Sequence, residues 1–597
     1  MTYRAPVDDI LFNILAVAPG PASPVVEEET RGDWRAILEQ AAILVEETIA
    51  PLNQAADRSG SVFENGVVHT PAGWREAFTT WAAAGWNGVS LPASHGGAGL
   101  PIAIGTATTE MLASACMALS TLPVLSQCAV PTLQAHAAGE LTDLYLPKLI
   151  SSEWTATMNL TEPQAGSDLG LLTSRAEPAD DGTYRLFGQK SFITFGEHDL
   201  AENIIHLVLA RLPGAPVGTK GISLFVVPKF LVHPDGRLGP RNDLRCGGVE
   251  HKLGIRASPT CTMIFGDNGG AVGWLVGEPH RGLHCMFTMM NRARLATGLQ
   301  GVAIAERAYQ QALAYAQERR QGRAARHDGP APIIAHPDVR RMLGRMKSLT
   351  AAGRALAYFI AAALDDAQHA TNEAARRRGG LFADLLTPIF KAFATESGVE
   401  VASLGIQVHG GMGYVEETGA AQHWRDARIS PIYEGTNGIQ AIDLVTRKVA
   451  PDGGAGMRAL AHECRMILTG IAALPADLQF PLAPATDLCA TALNDLLAAT
   501  DWLVAKEREA DERLYAASPY LRLAALTLAA SLLMKGAVAA ARMASENAAS
   551  RPEYRRRAAL AAVFADEFTV ETPGLLRKIT KPAATRTYRA AAIGLDA

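Results

Sequence analysis

The chain has 597 residues, more than one hydrophobic core usually holds, so several domains are expected. Its composition, with 48% hydrophobic, 19% charged and 6% aromatic residues, is typical of a soluble and largely helical protein. The formal net charge of -5 gives no electrostatic reason to expect a nucleic-acid partner or binding to an anionic membrane.

The seven cysteines are odd in number and irregular in spacing. None forms a CxxC pair or a Cys/His cluster with zinc-site spacing, so we predict free thiols and no metal site. The N-terminus lacks the basic-then-apolar pattern of a signal peptide, and no uninterrupted apolar run of bilayer-spanning length is evident. We therefore expect a cytoplasmic protein with no membrane association.

Apolar periodicity divides the chain into an N-terminal arm, a helical domain, a β-domain and two further helical blocks. The arm begins with the apolar run 10–15, which is followed by a Pro/Gly-rich link and an acidic cluster. The predicted boundaries are 1–33 for the arm, 34–153 for the first helical domain, 154–279 for the β-domain, 280–450 for a helical bundle and 451–597 for a C-terminal helical extension. The predicted fold class is thus mainly α with an inserted β-domain.

The β-domain is predicted from short apolar runs rich in β-branched and aromatic residues. They lie at 183–187, 191–194, 204–210 and 222–227, each bounded by glycine, proline or polar residues. In the following block the apolar period returns to that of helices. The segments 285–320, 336–368 and 384–408 predict an antiparallel bundle, interrupted by a mobile polar loop at 321–335.

One carboxylate stands out in the bundle, at Glu434 in the segment 431–440. Pro431 and Gly435 mark a loop, and apolar residues at helical spacing follow it, so Glu434 lies just before a predicted helix with Thr436 as its N-cap. The exposed N–H groups of a helix N-terminus favour an anion. Taken alone, this segment is equally compatible with a solvated loop glutamate.

A second candidate site lies in the β-domain, at residues 158–168. This stretch combines hydroxyl and small side chains with a turn, as a loop that grips an electron-poor, hydrogen-bonding ring and a pyrophosphate requires. About 25 residues later, the stretch 188–194 supplies an aromatic and a hydroxyl side chain. Alone, a loop such as 158–168 is more often an ordinary turn.

These blocks, together with 247–260, 407–414 and 434–436, resemble the acyl-CoA dehydrogenase family in their order and spacing. The resemblance covers about residues 35–450. It implies a helical domain, a β-barrel-like domain and a four-helix bundle, and it implies that the protein is an FAD-dependent enzyme. The arm and the extension resemble the long bacterial branch of the family, which includes enzymes acting on a methylthio-propionyl thioester.

The resemblance also implies roles for individual residues. Glu434 matches the catalytic base, and Ser167, Asn291, Arg294 and Gly435 match positions near the acyl-CoA substrate. The positions implied to bind FAD are Met158, Leu160, Thr161, Gly166, Ser167, Phe192, Ile193, Thr194, Arg319, Gln407, Gly410, Gly411, Thr436, Asn437 and Gly438. Gln164 departs from the family pattern, in which many members have glycine, and it puts the substrate and adenine contacts in question.

Helix geometry bears on the oligomeric state. If 285–320 is one helix, Arg319 lies 25 residues beyond Arg294, or about 37 Å away, which is too far for one active site to use both easily. In this family the positions of Arg319 and 407–411 contact the FAD of a neighbouring subunit. We therefore predict a homodimer, in which the extension replaces the second dimer of a tetramer. Taken alone, Arg319 is also compatible with a solvated helix end.

The resemblance implies a reaction in which Glu434 removes an α-proton while a hydride passes to flavin, giving a trans-2-enoyl-CoA. Electrons would leave to an electron-transfer flavoprotein. Two alternatives remain: a flavin oxidase acting on a related carbon acid, and a non-enzymatic DNA-associated member of the family, which the net negative charge disfavours. The glycines after His409 also resemble a hydrolase oxyanion loop, but no GxSxG nucleophile elbow accompanies them.

Overall fold

The computed structural model describes residues 3–18, 27–581 and 593–594. The chain forms two compact units. The first comprises Met1–Ala5 and Ala36–Ala296, and the second comprises Pro6–Arg35 and Thr297–Ala597. The predicted Pro/Gly-rich link at 19–26 and most of the last 16 residues lie outside the described residues.

Helices dominate both ends of the chain and strands dominate residues 154–276. The N-terminal helices are α1 Val7–Phe12, α2 Glu28–Leu44, α3 Asn53–Ser59, α4 Trp74–Ala83, α5 Ile102–Ala115, α6 Met117–His136 and α7 Gly139–Ile150. The strands are β1 Val62–Glu64, β2 Val67–His69, β3 Trp154–Asn159, β4 Arg175–Pro178, β5 Tyr184–Thr194, β6 Asn203–Arg211, β7 Ile222–Pro228, β8 Phe230–Val232, β9 Leu238–Arg241, β10 Leu244–Val249, β11 Thr260–Phe265 and β12 Ala271–Val276. The later helices are α8 Gly282–Glu318, α9 Pro337–His369, α10 Glu373–His409, α11 Ala420–Ala427, α12 Asn437–Asp443, α13 Ala455–Thr469, α14 Ala476–Gln479, α15 Ala483–Val504, α16 Ala510–Glu546, α17 Arg551–Phe568 and α18 Thr572–Thr580.

The predicted β-domain is present in the first unit. Within the described residues, its main sheet has eight strands in the order β10-β11-β5-β12-β7-β6-β3, and β4 pairs with both β5 and β6. The predicted runs 183–187 and 191–194 are a single strand, β5. They are joined at Gly188, whose φ of 140° and lack of a side chain let β5 pass close to Ser174, where a Cβ would lie 2.5 Å from Oγ. The glycine that suggested a break therefore marks a close approach.

Two apolar cores hold this sheet in place. Residues of α6, α7 and the first turns of α8, including Leu133 and Tyr145, pack with one set of strand residues, which includes Leu207 of β6. The other set, including Val208 and Phe225, forms a second core with β10 and β11. Alternate residues of β6 thus point into opposite cores, as the period of two in a strand requires.

The second unit is helical, and α9 and α10 match the predicted bundle helices. Gly301 of α8 and Gly398 of α10 let these two helices touch, because a Cβ on Gly301 would lie 2.2 Å from the Ala394 carbonyl oxygen. The segment 321–335, predicted as a mobile loop, is closed at its base. The Gln321 N–H donates to the Ala331 carbonyl, and the Ala331 N–H donates to the Gly322 carbonyl.

Helix α16 is long and apolar enough to cross a membrane by length and composition. Arg522 and Lys535 interrupt its apolar stretch, so the expectation that the chain has no uninterrupted apolar run of bilayer-spanning length stands. Most of its apolar stretch is buried inside the protein, as in a core helix.

The N-terminal arm is anchored to the second unit by a buried charge network. Asp9 of α1 accepts a hydrogen bond from Arg557 of α17 at 2.8 Å and from Lys347 of α9 at 3.2 Å. Arg354 donates to the buried Glu306 of α8 at 2.9 Å. Burial acts to raise the pKa of Asp9, but the surrounding cations, led by Lys347, hold it far below its usual range.

Candidate active site

The turn that carries Glu434 has an unusual backbone. Glu434 has a φ of 56° and Gly435 a φ of 82°, so two successive residues occupy the left-handed region. A non-glycine residue adopts this conformation only when its surroundings impose it. Thr436 then caps α12, because its hydroxyl accepts the Ile439 N–H at 3.2 Å. The predicted N-cap is confirmed.

Two buried side chains hold this turn by its backbone. Lys391 of α10 donates to the Gly435 carbonyl oxygen at 2.9 Å and to Asn437 Oδ1 at 3.0 Å. Gln440 donates through Nε2 to the carbonyl oxygens of Glu434 and Gly435, both at 3.2 Å. Neither residue was identified from the sequence, since no local pattern distinguishes Lys391 from a surface lysine.

Tyr433 fixes the other side of Glu434. Its hydroxyl donates a short hydrogen bond to the Gln300 side-chain oxygen of α8. Burial, together with the negative charge of Glu434, raises the pKa of Tyr433, so its phenol stays protonated and remains a donor. The carboxylate of Glu434 itself is only half-buried. The turn therefore presents one acidic side chain, and the bonds of Lys391, Gln440 and Tyr433 hold its backbone in place.

The first unit brings the other candidate stretches together. The Ser191 N–H donates to the Thr161 carbonyl oxygen at 2.9 Å, which joins the loop after β3 to the end of β5. Phe192 is 63% exposed at a φ of 59°, whereas the adjacent Ile193 is buried. Met158, Thr161 and Thr194 are half-buried, Leu160 is buried, and Gly166 and Ser167 are exposed. The result is an exposed aromatic face bordered by hydroxyl groups.

A buried ion pair supports the loop that follows β3. Glu162 pairs with Lys190 of β5 at 2.8 Å and also accepts the backbone N–H groups of Thr173 at 2.7 Å and Ser174 at 3.0 Å. Burial acts to raise the pKa of Glu162, but the Lys190 charge and these hydrogen bonds lower it to about 2. Glu162 is therefore ionised at neutral pH. Glu162 directly follows Thr161 in the sequence, but it was not predicted as a site residue.

Gln164, the departure from the family pattern, is accommodated within the loop. Its amide nitrogen donates to Glu162 Oε2 at 2.7 Å and to the Thr173 hydroxyl at 3.2 Å. The side chain thus folds back onto the supporting carboxylate. It adds to the network that holds the loop.

Asn291 and Arg294 lie three residues apart on α8, on one helix face as predicted. Asn291 is exposed and Arg294 is buried. The continuity of α8 from Gly282 to Glu318 also confirms the single long helix on which the predicted spacing to Arg319 depends.

The remaining candidates form a separate cluster in the second unit. Arg319 directly follows α8, while Gln407, Gly410 and Gly411 lie at the end of α10, and all four are exposed. The rings of Tyr315 and His409 stack with centroids 4.4 Å apart, which ties the two helix ends together. Arg319 and 407–411 thus form a second cluster, distinct from the Glu434 turn. Among the residues that the structure describes, no group of His, Cys, Asp and Glu could hold a metal ion.

Comparison with known protein families accounts for nearly the whole chain. Models of the acyl-CoA dehydrogenase N-terminal, middle and C-terminal domains match residues 32–153, 157–268 and 280–449. A fourth model, described as acetyl-CoA dehydrogenase C-terminal like, matches 460–587. The chain belongs to the acyl-CoA dehydrogenase family. It is accordingly an oxidoreductase of the class that acts on CH–CH groups.

Individual relatives support this placement in the acyl-CoA dehydrogenase family. The 3-methylmercaptopropionyl-CoA dehydrogenase of Ruegeria pomeroyi is 49% identical over 88% of this chain and 89% of its own length. Among solved structures, Caenorhabditis elegans ACDH-11 in complex with C11-CoA matches with a TM-score of 0.80 at 20% identity, covering 99% of this chain and 96% of its own. Bacillus anthracis acyl-CoA dehydrogenase complexed with FAD matches with a TM-score of 0.74 at 20% identity, covering 97% and 90%. The predicted fold class, including the C-terminal helical extension, is confirmed.

Proposed function

We propose that this acyl-CoA dehydrogenase uses FAD to convert a short acyl-CoA to its trans-2-enoyl-CoA, with Glu434 as the base. The observation that carries the proposal is the Glu434 turn. Its left-handed backbone is held by Lys391 and Gln440 and presents a single carboxylate just before a helix N-terminus. Strain of this kind is kept where a side chain must be aimed.

The residues of the first unit fit the family cofactor. A flavin ring needs a flat apolar surface and hydrogen-bonding groups at its edge, and the exposed Phe192 with Thr161 and Thr194 supplies both. The exposed backbone at Gly166 and Ser167 suits a phosphate-bearing ligand. When bound, FAD would accept the hydride that leaves the β-carbon of the thioester.

The residues of this chain then have separate tasks in the reaction. Glu434 removes the α-proton, and its backbone N–H donates to the thioester carbonyl oxygen, where negative charge develops as the proton leaves. Substrate bound against the carboxylate would displace water from it and make it a stronger base. Lys391 and Gln440 hold the backbone of the base, and Asn291 and Arg294 contact the substrate.

The proposed substrate is a short thioester, 3-(methylthio)propionyl-CoA, with a fatty acyl-CoA as the alternative of the same class. Support comes from the 49% identity to the Ruegeria pomeroyi enzyme, over 88% of this chain and 89% of that relative.

An anaerobic screen tests the proposal. The purified yellow protein is mixed with 3-(methylthio)propionyl-CoA, butyryl-CoA, octanoyl-CoA and palmitoyl-CoA, and flavin bleaching is followed by absorbance. We expect the methylthio thioester to bleach the flavin fastest, and admission of air to restore the colour slowly. A colourless protein that does not take up FAD would contradict the proposal, and rapid reoxidation in air would indicate an oxidase.

We further propose a cytoplasmic homodimer that passes its electrons to an electron-transfer flavoprotein. The dimer is supported by the exposed cluster of Arg319, Gln407, Gly410 and Gly411, which lies apart from the Glu434 turn and suits a contact with the FAD of a second subunit. Tyr414, three residues after Gly411, is 86% exposed. A large side chain exposed to this extent suits a contact with a second subunit. Arg319→Ala should weaken FAD binding, and analytical ultracentrifugation should find two chains per particle.

A further inference from the structure

A cavity in the second unit belongs to neither candidate cluster. It has a volume of about 310 Å³ and lies among four helices, α9 and α10 of the bundle and α13 and α16 of the extension, with Ala16 and Ala18 of the N-terminal arm on its wall. This volume is at the lower end of the range for small-molecule sites, about 300–1,000 Å³. Its lining includes none of the residues proposed for catalysis or for FAD.

The residues of α16 that line this cavity lie on one face of the helix. On α16, Leu528, Leu532, Lys535, Ala539 and Arg542 follow one another at three- and four-residue spacing, so they share a face. Along this face the lining changes from leucine at one end to arginine at the other. The cavity therefore has an apolar end and a cationic end, the arrangement that an amphipathic ligand with one anionic group requires.

Residues of α9 and α10 form the other walls of the cavity, and they include large apolar side chains. Phe359 of α9 and Phe382 of α10 line the apolar part, and the Lys535 ammonium lies 5.3 Å from the centroid of the Phe359 ring. Gly379 of α10 also lines the cavity. A Cβ there would lie 2.5 Å from the Ala363 carbonyl oxygen, so α9 and α10 meet closely beside it. The walls are thus built from rigid helix contacts.

The charges at the polar end favour an anion. Lys535, Arg378 and Arg542 face Asp366 and Glu463, and Glu463 is engaged with Arg378 at 3.7 Å. Burial raises the pKa of Asp366, and the nearby Arg378 acts to lower it. Burial likewise lowers the pKa of Lys535 to about 8, although Glu463 acts to raise it, so its ammonium is still charged at pH 7 and contributes a positive charge to the cavity wall.

We propose that this cavity is a binding site for a small amphipathic carboxylate, with its alkyl tail between Phe359, Phe382 and Leu532 and its carboxylate between Lys535 and Arg542. A fatty acid of medium chain length has this chemistry. An alkylammonium of the same length fits less well, because it would bring a third positive group to Lys535 and Arg542. The site is independent of the thioester chemistry proposed for Glu434.

Isothermal titration calorimetry on the FAD-loaded enzyme at pH 7 tests this proposal, with octanoate, octylammonium and acetate as probes. Octanoate should bind with one site per chain, octylammonium at least about tenfold more weakly, and acetate with no measurable heat, since it lacks the tail. Absence of octanoate binding up to millimolar concentration, or octylammonium binding as tightly as octanoate, would overturn the proposal.

Variants separate this cavity from the acyl-CoA site, where octanoate could also enter. Lys535→Met removes the cation and should weaken octanoate binding about tenfold or more, and Ala539→Phe fills the half-buried wall and should abolish it. Lys578→Met, at an exposed lysine of α18, is the matched control and should bind as the parent does. Flavin reduction by acyl-CoA should be unchanged in all three.

If both cavity variants bind octanoate as tightly as the parent, the ligand lies elsewhere and the proposal fails. Circular dichroism checks that each variant is folded. If one of the two cavity variants misfolds, the other still tests the proposal, because Lys535→Met removes the cation whereas Ala539→Phe fills the space for the tail.

Discussion

The Lys391 ammonium donates a hydrogen bond at 2.9 Å to the carbonyl oxygen of Gly435, 44 residues later in the chain. Gly435 directly follows the proposed base, so this bond connects the bundle helix α10 to the position of the Glu434 carboxylate. Burial of a lysine costs free energy unless its N–H groups donate hydrogen bonds. The buried Lys391 donates to the Gly435 carbonyl oxygen and to Asn437 Oδ1, both in this turn. Lys391 is therefore a positioning residue.

Replacing Lys391 with methionine should slow flavin reduction by acyl-CoA about 10- to 100-fold, because a displacement of the base by about 1 Å has that effect. Flavin content and the dissociation constant for acyl-CoA should change little. Stopped-flow absorbance under anaerobic conditions measures the rate. Lys506→Met, at an exposed lysine of the extension, is the control, and an unchanged rate in Lys391→Met would refute the positioning role.

A second prediction concerns the loop that carries Thr161 and Ser167. Glu162→Gln would leave Lys190 without its buried partner and weaken the hydrogen bonds to Thr173 and Ser174. Loss of one partner of a buried pair costs about 3–5 kcal/mol. We expect the variant to melt at lower temperature and to release FAD on dilution, as measured by flavin fluorescence. Glu177→Gln, at an exposed pair on β4, should retain FAD, and equal retention by both variants would exclude this support role.

The parts of the site that the sequence predicted are those with local signals. The N-cap at Thr436 follows from a hydroxyl placed before a run of apolar residues at helical spacing, and the strands of the β-domain follow from β-branched runs. Lys391 and Gln440 could not be predicted in this way. Their partners are backbone carbonyl oxygens, which carry no residue identity, and Lys391 lies 44 residues from its partner in the chain.

Long-range charge pairing also escaped prediction. Asp9 and Arg557 are 548 residues apart, and neither belongs to a periodic pattern that would pair them. The sequence did predict an N-terminal arm that begins with a run of apolar residues. It did not predict a buried carboxylate within that arm, since most aspartates beside apolar runs are solvated.

The Asp9 network leads to a prediction about stability. Asp9→Asn would remove the negative charge that faces Lys347, Arg354 and Arg557, and should destabilise the folded protein by about 3 kcal/mol. Asp8→Asn is the matched control on the same helix, since the Asp8 side chain is exposed and pairs with Arg35 at the surface. Differential scanning calorimetry should show a lower melting temperature for Asp9→Asn alone. Equal melting of the two variants would contradict the network.

A buried histidine predicts how stability depends on pH. Burial, with the nearby Lys229 and Arg241, lowers the pKa of His206 from 6.5 to about 3. A group whose folded pKa is depressed contributes stability above its unfolded pKa, and the contribution is lost as the pH falls from 6.5 towards 3. At pH 5 the loss is about 2 kcal/mol, from roughly 1.4 kcal/mol per pH unit.

His206→Asn should therefore show a smaller fall in melting temperature between pH 7 and pH 5 than the parent does. The variant is expected to be less stable at pH 7, because it loses the hydrogen bond between His206 Nδ1 and the Thr157 hydroxyl. The informative quantity is the difference between the two pH values. His462→Asn, at an exposed histidine, should keep the parent's difference, and the same difference in all three proteins would be inconsistent with a neutral buried His206.

The central claim is that the Glu434 carboxylate is the base, and anaerobic stopped-flow reduction of Glu434→Gln by acyl-CoA tests it most directly. This substitution keeps the size of the side chain and removes its basicity, and Glu546→Gln, at an exposed glutamate, serves as the control. The account predicts a yellow, folded Glu434→Gln protein whose flavin is reduced about 10²- to 10⁴-fold more slowly than that of the parent and the control. Reduction at the parental rate, with FAD bound, would contradict it.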